Sequence, residues 1–175
     1  MWWNSDIYKR FKYSLCNRKK MIELSKAVYA GSFDPFTLGH LDIVEQAIPL
    51  FDEVIILLCN NSSKTRMTNV ATMATMIGKC CLKYNNVKVQ VCSMLVADYC
   101  KEQECEYLIR GLRNTTDYLY EESVARINTE INPDLKTIYF RTRNEVLSST
   151  FVKELYRYGK DITKYLPEEI HLWEE

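Results

Sequence analysis

The residues best equipped for chemistry lie in the stretch AVYAGSFDPFTLGH, residues 27–40. Ser32 and Thr37 offer hydroxyls, Gly39 offers space, and His40 offers an imidazole that can donate or accept. Ala27-Val28-Tyr29-Ala30 reads as a short buried strand. Leu41, Val44, Ala47, Ile48 and Phe51 fall on one face of a following helix. A strand, a loop of small residues and a helix start make a phosphate site in an open α/β sheet. Unpaired helix-start N–H groups and the helix dipole both face the anion there. Further along stand Lys64, the run Arg110-Gly111-Leu112-Arg113 and the hydroxyl cluster Leu147-Ser148-Ser149-Thr150. One imidazole, three cations and several hydroxyls are what a polyphosphate requires.

The elements that must position these groups alternate along the chain. Strands are expected at 27–30, 53–59, 87–92, 107–109 and 136–141. EVIILLC at 53–59 is apolar throughout, as suits a strand buried on both faces. Helices are expected at about 39–51, 69–84, 95–104, 117–131 and 147–158. Asn69 reads as an N-cap, Pro133 as a stop and Gly159 as a C-cap. Asp161 suits the cap of a short final helix, and another is expected from Pro167 to Trp173. Five strands alternating with helices predict a single-domain, doubly wound, Rossmann-like parallel sheet with helices on both faces. Ligands of such sheets bind at the carboxyl ends of the strands. Ser32, His40, Lys64, Arg110, Arg113 and Leu147–Thr150 all fall just after strands.

Bulk properties narrow the function classes. The chain has 175 residues, 47% hydrophobic and 26% charged, with zero formal net charge. That suits one well-cored domain and gives no support to a general nucleic-acid-coating role. No apolar run has the length of a membrane span. The seven cysteines are odd in number and include no CxxC pair. They read as reduced, mostly core thiols of a cytoplasmic protein, and no metal-ligand spacing occurs. Residues 1–20 carry six basic residues against one acid. They are set apart as a basic extension that the domain from 21 to 175 can lose: a surface tail, an early start or a transit peptide.

The residues quoted above also carry a family likeness. AVYAGSFDPFTLGHLDIVEQA resembles the signature of the nucleotidyltransferase superfamily whose motif is (T/H)xGH. From Lys26 to about Leu172 the chain resembles the bacterial-type phosphopantetheine adenylyltransferases. LFDEVIILL, Lys64, LIRGLRNTTDYLYEE, NTEINPDL and LSSTFVKELYRYGKDITKYLP all match. The resemblance implies a reaction: ATP and 4′-phosphopantetheine give dephospho-coenzyme A and pyrophosphate. It also implies Mg2+, a homohexamer and feedback inhibition by coenzyme A. Related readings are an enzyme with another acceptor, nicotinamide mononucleotide or glycerol phosphate, and an inactive nucleotide-binding regulator.

The resemblance assigns roles residue by residue. His40 stabilises the transition state, and Lys64 and Arg113 act with it as catalytic cations. Ser32, Lys64, Val96 and Arg110 match acceptor contacts. Ser32, Phe33, Gly39, His40, Gly111, Leu112, Arg113 and Glu121 match ATP contacts. So does the loop Asn144, Glu145, Val146, Leu147, Ser148, Ser149 and Thr150. Thr37 reads equally as a nucleotide contact or a helix cap, and Glu121 alternatively as a plain exposed helix acid. Departures from the family pattern are Ser32 for Thr, Ala30 for Pro, Leu38 at a commonly polar position and Met94 for Asp or Gly. Two loops also differ. The segment Arg66-Met67-Thr68-Asn69-Val70-Ala71-Thr72 lacks the usual acidic pair, and the loop after the fifth strand is about two residues short.

Overall fold

The computed structural model describes residues 24–59, 66–143 and 146–172. The basic extension 1–20, Lys64, Asn144 and Glu145 lie outside them. The elements in order are β1 (Lys26–Gly31), α1 (Leu38–Ala47), β2 (Glu53–Cys59), α2 (Val70–Cys80), β3 (Val87–Cys92), α3 (Val96–Glu102), β4 (Tyr107–Leu112), α4 (Thr115–Ile131), β5 (Lys136–Arg141) and α5 (Ser149–Arg157). A 3-10 turn follows at Thr163–Tyr165.

The five strands form one parallel sheet in the order β3-β2-β1-β4-β5. Successive strands move outward from β1 to β3, then jump back across β1 to β4 and β5. The winding direction reverses between β1 and β4, and a crevice opens there at the carboxyl ends. The period of two along the strands sorts side chains into two cores. Ala27, Tyr29, Val54, Ile56, Leu58 and Ile109 face one side. They pack there with Ile43, Val44 and Ala47 of α1, Met73, Met76 and Ile77 of α2, and Val152 of α5. Val28, Ala30, Ile55, Leu57 and Leu108 face the other, against Ala97, Tyr99 and Cys100 of α3. Met73 and Met76 are core filling, as the fully buried and nearly buried positions show.

β2, β3 and β5 occupy the residues their apolar or alternating patterns predict. Asn69 caps α2, its side-chain oxygen accepting from the N–H groups of Ala71 and Thr72. Gly159 has a φ of 64°, as a left-handed C-cap requires. Asp161 accepts from the Thr163 N–H and hydroxyl at the start of the 3-10 turn. Cys80, Cys81, Cys92, Cys100 and Cys105 are buried free thiols, and Cys59 is a half-buried one.

Four expectations are corrected. β4 continues past Ile109 to Leu112, because Arg110, Gly111 and Leu112 find register partners in Tyr139, Phe140 and Arg141 of β5. Arg110 and Gly111 are therefore strand residues, not loop residues. α1 ends at Ala47 rather than Phe51, ahead of Pro49. α2 ends at Cys80 rather than Tyr84, where the chain passes into a turn. Among the described residues no helix forms from Pro167 to Leu172, and Trp173 lies outside them; a single turn closes with Ile170 N–H donating to Pro167 C=O, and Leu166 and Ile170 dock it on the core.

Candidate active site

A cavity of about 310 Å3 opens at the crevice between β1 and β4. Its wall brings together Ser32, Phe33, Thr37, Gly39 and His40 from the β1–α1 loop and helix start, and Arg110, Gly111 and Arg113 from the end of β4. Asp117 and Glu121 of α4 and Leu147 to Thr150 at the start of α5 complete it. A larger hollow of about 1130 Å3 lies at the opposite ends of the strands, among Leu24, Lys26, Lys101, Glu104 and Lys136. It holds neither an imidazole nor a helix start of the first loop, so chemistry is assigned to the smaller cavity.

His40 stands at the third position of α1, with Thr37 as the N-cap. The Thr37 N–H donates to His40 Nδ1 at 3.0 Å, and the Thr37 hydroxyl lies 3.0 Å from the same nitrogen. A backbone N–H can only donate, so Nδ1 must carry a lone pair. In the neutral ring the proton is then on Nε2. The ring is held by Phe33 (centroids 5.1 Å apart, perpendicular) and Phe36 (5.5 Å, stacked). Burial lowers the His40 pKa to about 4, with the Arg113 charge acting the same way. At neutral pH the ring is an uncharged Nε2–H donor, oriented by the reciprocal arm of a capping box. The cap role of Thr37 is therefore realised, and its residue also lines the cavity.

Gly39 leaves the helix start open: a Cβ there would meet Leu147 and Thr37 Oγ1 at 3.6 Å, ordinary contact. Gly31 is tighter, because a Cβ would sit 2.9 Å from the Phe33 ring. Phe33 itself has φ 44° and is 2% exposed, so the loop folds its aromatic ring back under Gly31.

The two arginines are not bare cations at the rim, as their sequence position suggests. Arg110 forms a two-pronged pair with Glu121, one arm at 2.6 Å from Nη2 to Oε1 and the other from Nε to Oε2, and its Nη1 donates to the Ala30 carbonyl at 2.8 Å. Arg113 donates from Nε and Nη2 to Asp117 at 2.7 and 2.9 Å. Glu121 and Asp117 are thus orienting carboxylates that set the guanidinium planes and offset the formal charge of each arginine. Glu121 is not a plain exposed acid; its side chain is 13% exposed. Asp117 was missed by sequence reasoning, although its i,i+4 spacing from Arg113 was a usable signal.

A second buried carboxylate ties the loop down. Asp34 is 3% exposed. It accepts from the Met67 and Thr68 N–H groups at 3.0 Å each and from the Lys153 ammonium of α5. Burial alone would raise its pKa, but the Lys153, Met67 and Thr68 hydrogen bonds outweigh that and lower it. Ser149 Oγ donates to the Pro35 carbonyl at 2.9 Å, a second tie from α5 to the first loop. Ser148 caps α5 by accepting from Phe151 N–H. Asp34 and Lys153 lie 119 positions apart, and nothing local in the sequence pairs them.

Val96, Val146 and Leu112 do not reach the cavity wall. Val96 begins α3 on the far side of the sheet, Val146 is 69% exposed, and Leu112 lines a neighbouring surface hollow with Arg113 and Tyr118. Lys64, Asn144 and Glu145 lie outside the described residues. Among the described residues no group of three His, Cys, Asp or Glu side chains is placed to hold a metal.

Comparison with known proteins gives concordant results. The cytidylyltransferase-like family matches residues 28–155. A phosphopantetheine adenylyltransferase of Cytophaga hutchinsonii is 41% identical over 146 residues, covering 82% of this chain and 97% of the relative. Relatives of the same name from Leptospira biflexa (41% over 146 residues, 82% and 91% covered) and Lachnoclostridium phytofermentans (40% over 146 residues, 82% and 89%) agree. A solved structure from Vibrio parahaemolyticus, provisionally a nicotinate-nucleotide adenylyltransferase, superposes with a TM-score of 0.63 at 18% identity. It covers 83% of this chain and 89% of its own, a likeness of fold.

Proposed function

Because the chain belongs to the phosphopantetheine adenylyltransferase family, within the cytidylyltransferase-like group, we propose that it transfers the adenylyl group of ATP to 4′-phosphopantetheine. The products are dephospho-coenzyme A and pyrophosphate. The observation that carries the reading to the residues is the fixed, neutral Nε2–H of His40 in one cavity with Ser32, Arg110 and Arg113.

An oxygen of the acceptor phosphate attacks the α-phosphorus of ATP. The bond from that phosphorus to its bridging oxygen breaks on the opposite side, and pyrophosphate leaves with the electron pair. The nucleophile is already an anion near neutral pH, so neither a general base nor a covalent enzyme intermediate is needed. The protein must bring two polyanions into line and stabilise charge on the non-bridging α-phosphoryl oxygens. His40 Nε2–H donates to one of those oxygens, and its neutrality costs the site no extra charge to reorganise. Gly39 admits the nucleotide to the helix start. Arg113, with the Gly111–Leu112 backbone, takes the ATP phosphates; Ser32, Lys64 and Arg110 take the acceptor phosphate. Both arginines keep N–H groups beyond those on Asp117 and Glu121. Leu147 to Thr150 complete the nucleotide side of the cavity, with Val146 beyond its wall; Glu121 acts through Arg110, and the pantetheine arm would extend past the cavity to meet Val96.

Mg2+ enters this proposal as part of the nucleotide substrate. The described carboxylates nearest the cavity are committed to arginines, and magnesium commonly keeps its waters and binds through phosphates. We assign the protein to the cytoplasm, consistent with its six described free thiols; no described helix is long and apolar enough to cross a membrane. The hexamer finds support in α4, which buries no residue and exposes Leu119, Tyr120 and Ile127 by more than 60% each. Coenzyme A, which contains the product, would compete for both substrate positions.

The test is pyrophosphate release from MgATP across a panel of acceptors. Phosphopantetheine is expected to be turned over, with nicotinamide mononucleotide and glycerol phosphate silent. Turnover of nicotinamide mononucleotide without phosphopantetheine would overturn the acceptor assignment. ATP binding without turnover of any acceptor would favour the regulator.

A further inference from the structure

Arg66 follows two residues after Lys64, in the segment where the chain departs from its family's pattern. It belongs to none of the contacts assigned above. Its guanidinium bridges two carbonyls: Nη1 donates to Ser32 O at 2.8 Å, and Nε donates to Thr68 O at 3.1 Å. One and two residues beyond Arg66, the Met67 and Thr68 N–H groups donate to Asp34, two residues beyond Ser32. The clip therefore fastens the 66–68 segment along the Ser32–Asp34 turn, with the arginine at the end nearest the cavity.

Three features set Arg66 apart from a plain surface tether. Among the described residues it has no carboxylate partner, whereas Arg110 and Arg113 each hold one. Its Nη2 is buried and, among the described residues, without a hydrogen-bond partner, a cost a freely chosen tether would avoid. Its acceptor is the backbone carbonyl of Ser32, a hydroxyl-bearing residue of the cavity wall. A charge-assisted bond to that carbonyl restrains the backbone of Ser32, from which the hydroxyl is presented.

We propose that Arg66 is a positioning residue for transfer: by holding the Ser32 carbonyl it aims the Ser32 hydroxyl at the phosphate that attacks. This rests on the adenylyl-transfer reading above. A planar fork across two carbonyls 36 positions apart is a geometry that lysine cannot reproduce.

The test is a double-mutant cycle between Arg66→Gln and Ser32→Ala, read as kcat/KM for the acceptor, with thermal unfolding of every variant as a control. Arg66→Gln should lose about tenfold in kcat/KM when Ser32 is present and no more than about twofold when Ser32 is alanine. Arg66→Lys, which keeps the charge, should recover only part. It also replaces the glutamine variant if that protein does not fold. Thr68→Val removes a buried hydroxyl that has no partner in the same segment, and should leave turnover unchanged. Additive losses at Arg66 and Ser32, or an equal loss from Thr68→Val, would overturn the proposal. The cycle is run on whichever acceptor the wild-type protein uses. Silence with phosphopantetheine therefore counts against the acceptor assignment, and silence with every acceptor counts against both.

Discussion

The protonation state of His40 is the most consequential single prediction, because the bond from Thr37 to Nδ1 fixes the neutral ring as a donor from Nε2. Burial and the neighbouring Arg113 charge place its pKa at about 4 instead of 6.5. At pH 5.5 an ordinary histidine would be roughly 90% protonated, while one at pKa 4 would be roughly 3% protonated. Turnover against pH is a poor monitor, since a phosphate monoester acceptor itself gains a proton near pH 6. The ring should be observed directly, by nitrogen NMR of protein labelled at its histidines. The chain has only two, and His171→Gln assigns them. The His40 Nδ1 resonance is expected to remain that of an unprotonated ring nitrogen from pH 8 to pH 5.5. The same shift links to stability. The unfolded chain takes up this proton through pH 6.5, and the folded chain does not until about pH 4. The contribution is therefore complete above pH 6.5 and lost as pH falls towards 4, with a ceiling of about 3 kcal/mol before allowing for the ring's partial exposure. A midpoint near 6.5, or a proton on Nδ1, would refute the orientation by Thr37. His40→Ala should fold, bind ATP and lose about 2–4 kcal/mol of transition-state stabilisation, or about 30- to 900-fold in kcat.

Three further substitutions probe the supporting structure. Asp34→Asn leaves the Lys153 ammonium facing a neutral group at a nearly buried site and should cost about 3 kcal/mol in denaturant unfolding. Because the Asp34 pKa is lowered, its stabilisation is present above the ordinary carboxylate range and fades as pH falls through the folded value; the variant should lose that acid sensitivity. Gly39→Ala should fold with little change in melting temperature, since its Cβ meets only ordinary contacts, yet raise the KM for ATP several-fold by filling the helix start. Gly31→Ala should instead lower stability by about 1–3 kcal/mol, because its Cβ would press on the buried Phe33 ring at 2.9 Å; an unchanged melting temperature would show that the ring can shift freely.

Much of the fold can be read along the chain because its signals are local. EVIILLC and VKVQVC each carry a strand's pattern within six or seven residues, and Asn69 caps the next helix with its own side chain. The Gly39-His40 helix start is legible for the same reason. β4 misleads a linear reading: Arg110 and Gly111 look like a loop after an apolar strand. They stay in the sheet because β5 supplies register partners and Glu121 supplies a carboxylate.

The amino-acid sequence alone determined the strand–helix alternation, the helix-start histidine and the residue types gathered for a polyphosphate, since propensity, periodicity and capping act over a few residues. Tertiary structure decided the strand order, which opens the crevice beside β1 and not elsewhere. It also decided that two cations arrive already paired, that Asp34 is clamped from α5, and that Arg66 grips the Ser32 carbonyl. Those contacts join positions 34 to 119 residues apart, apart from the arginine pairs on α4, and exist only once the sheet has brought the loops to one rim. The tautomer of His40 belongs to both: its partner Thr37 is three residues away, while the burial that keeps the ring neutral is built by the whole fold.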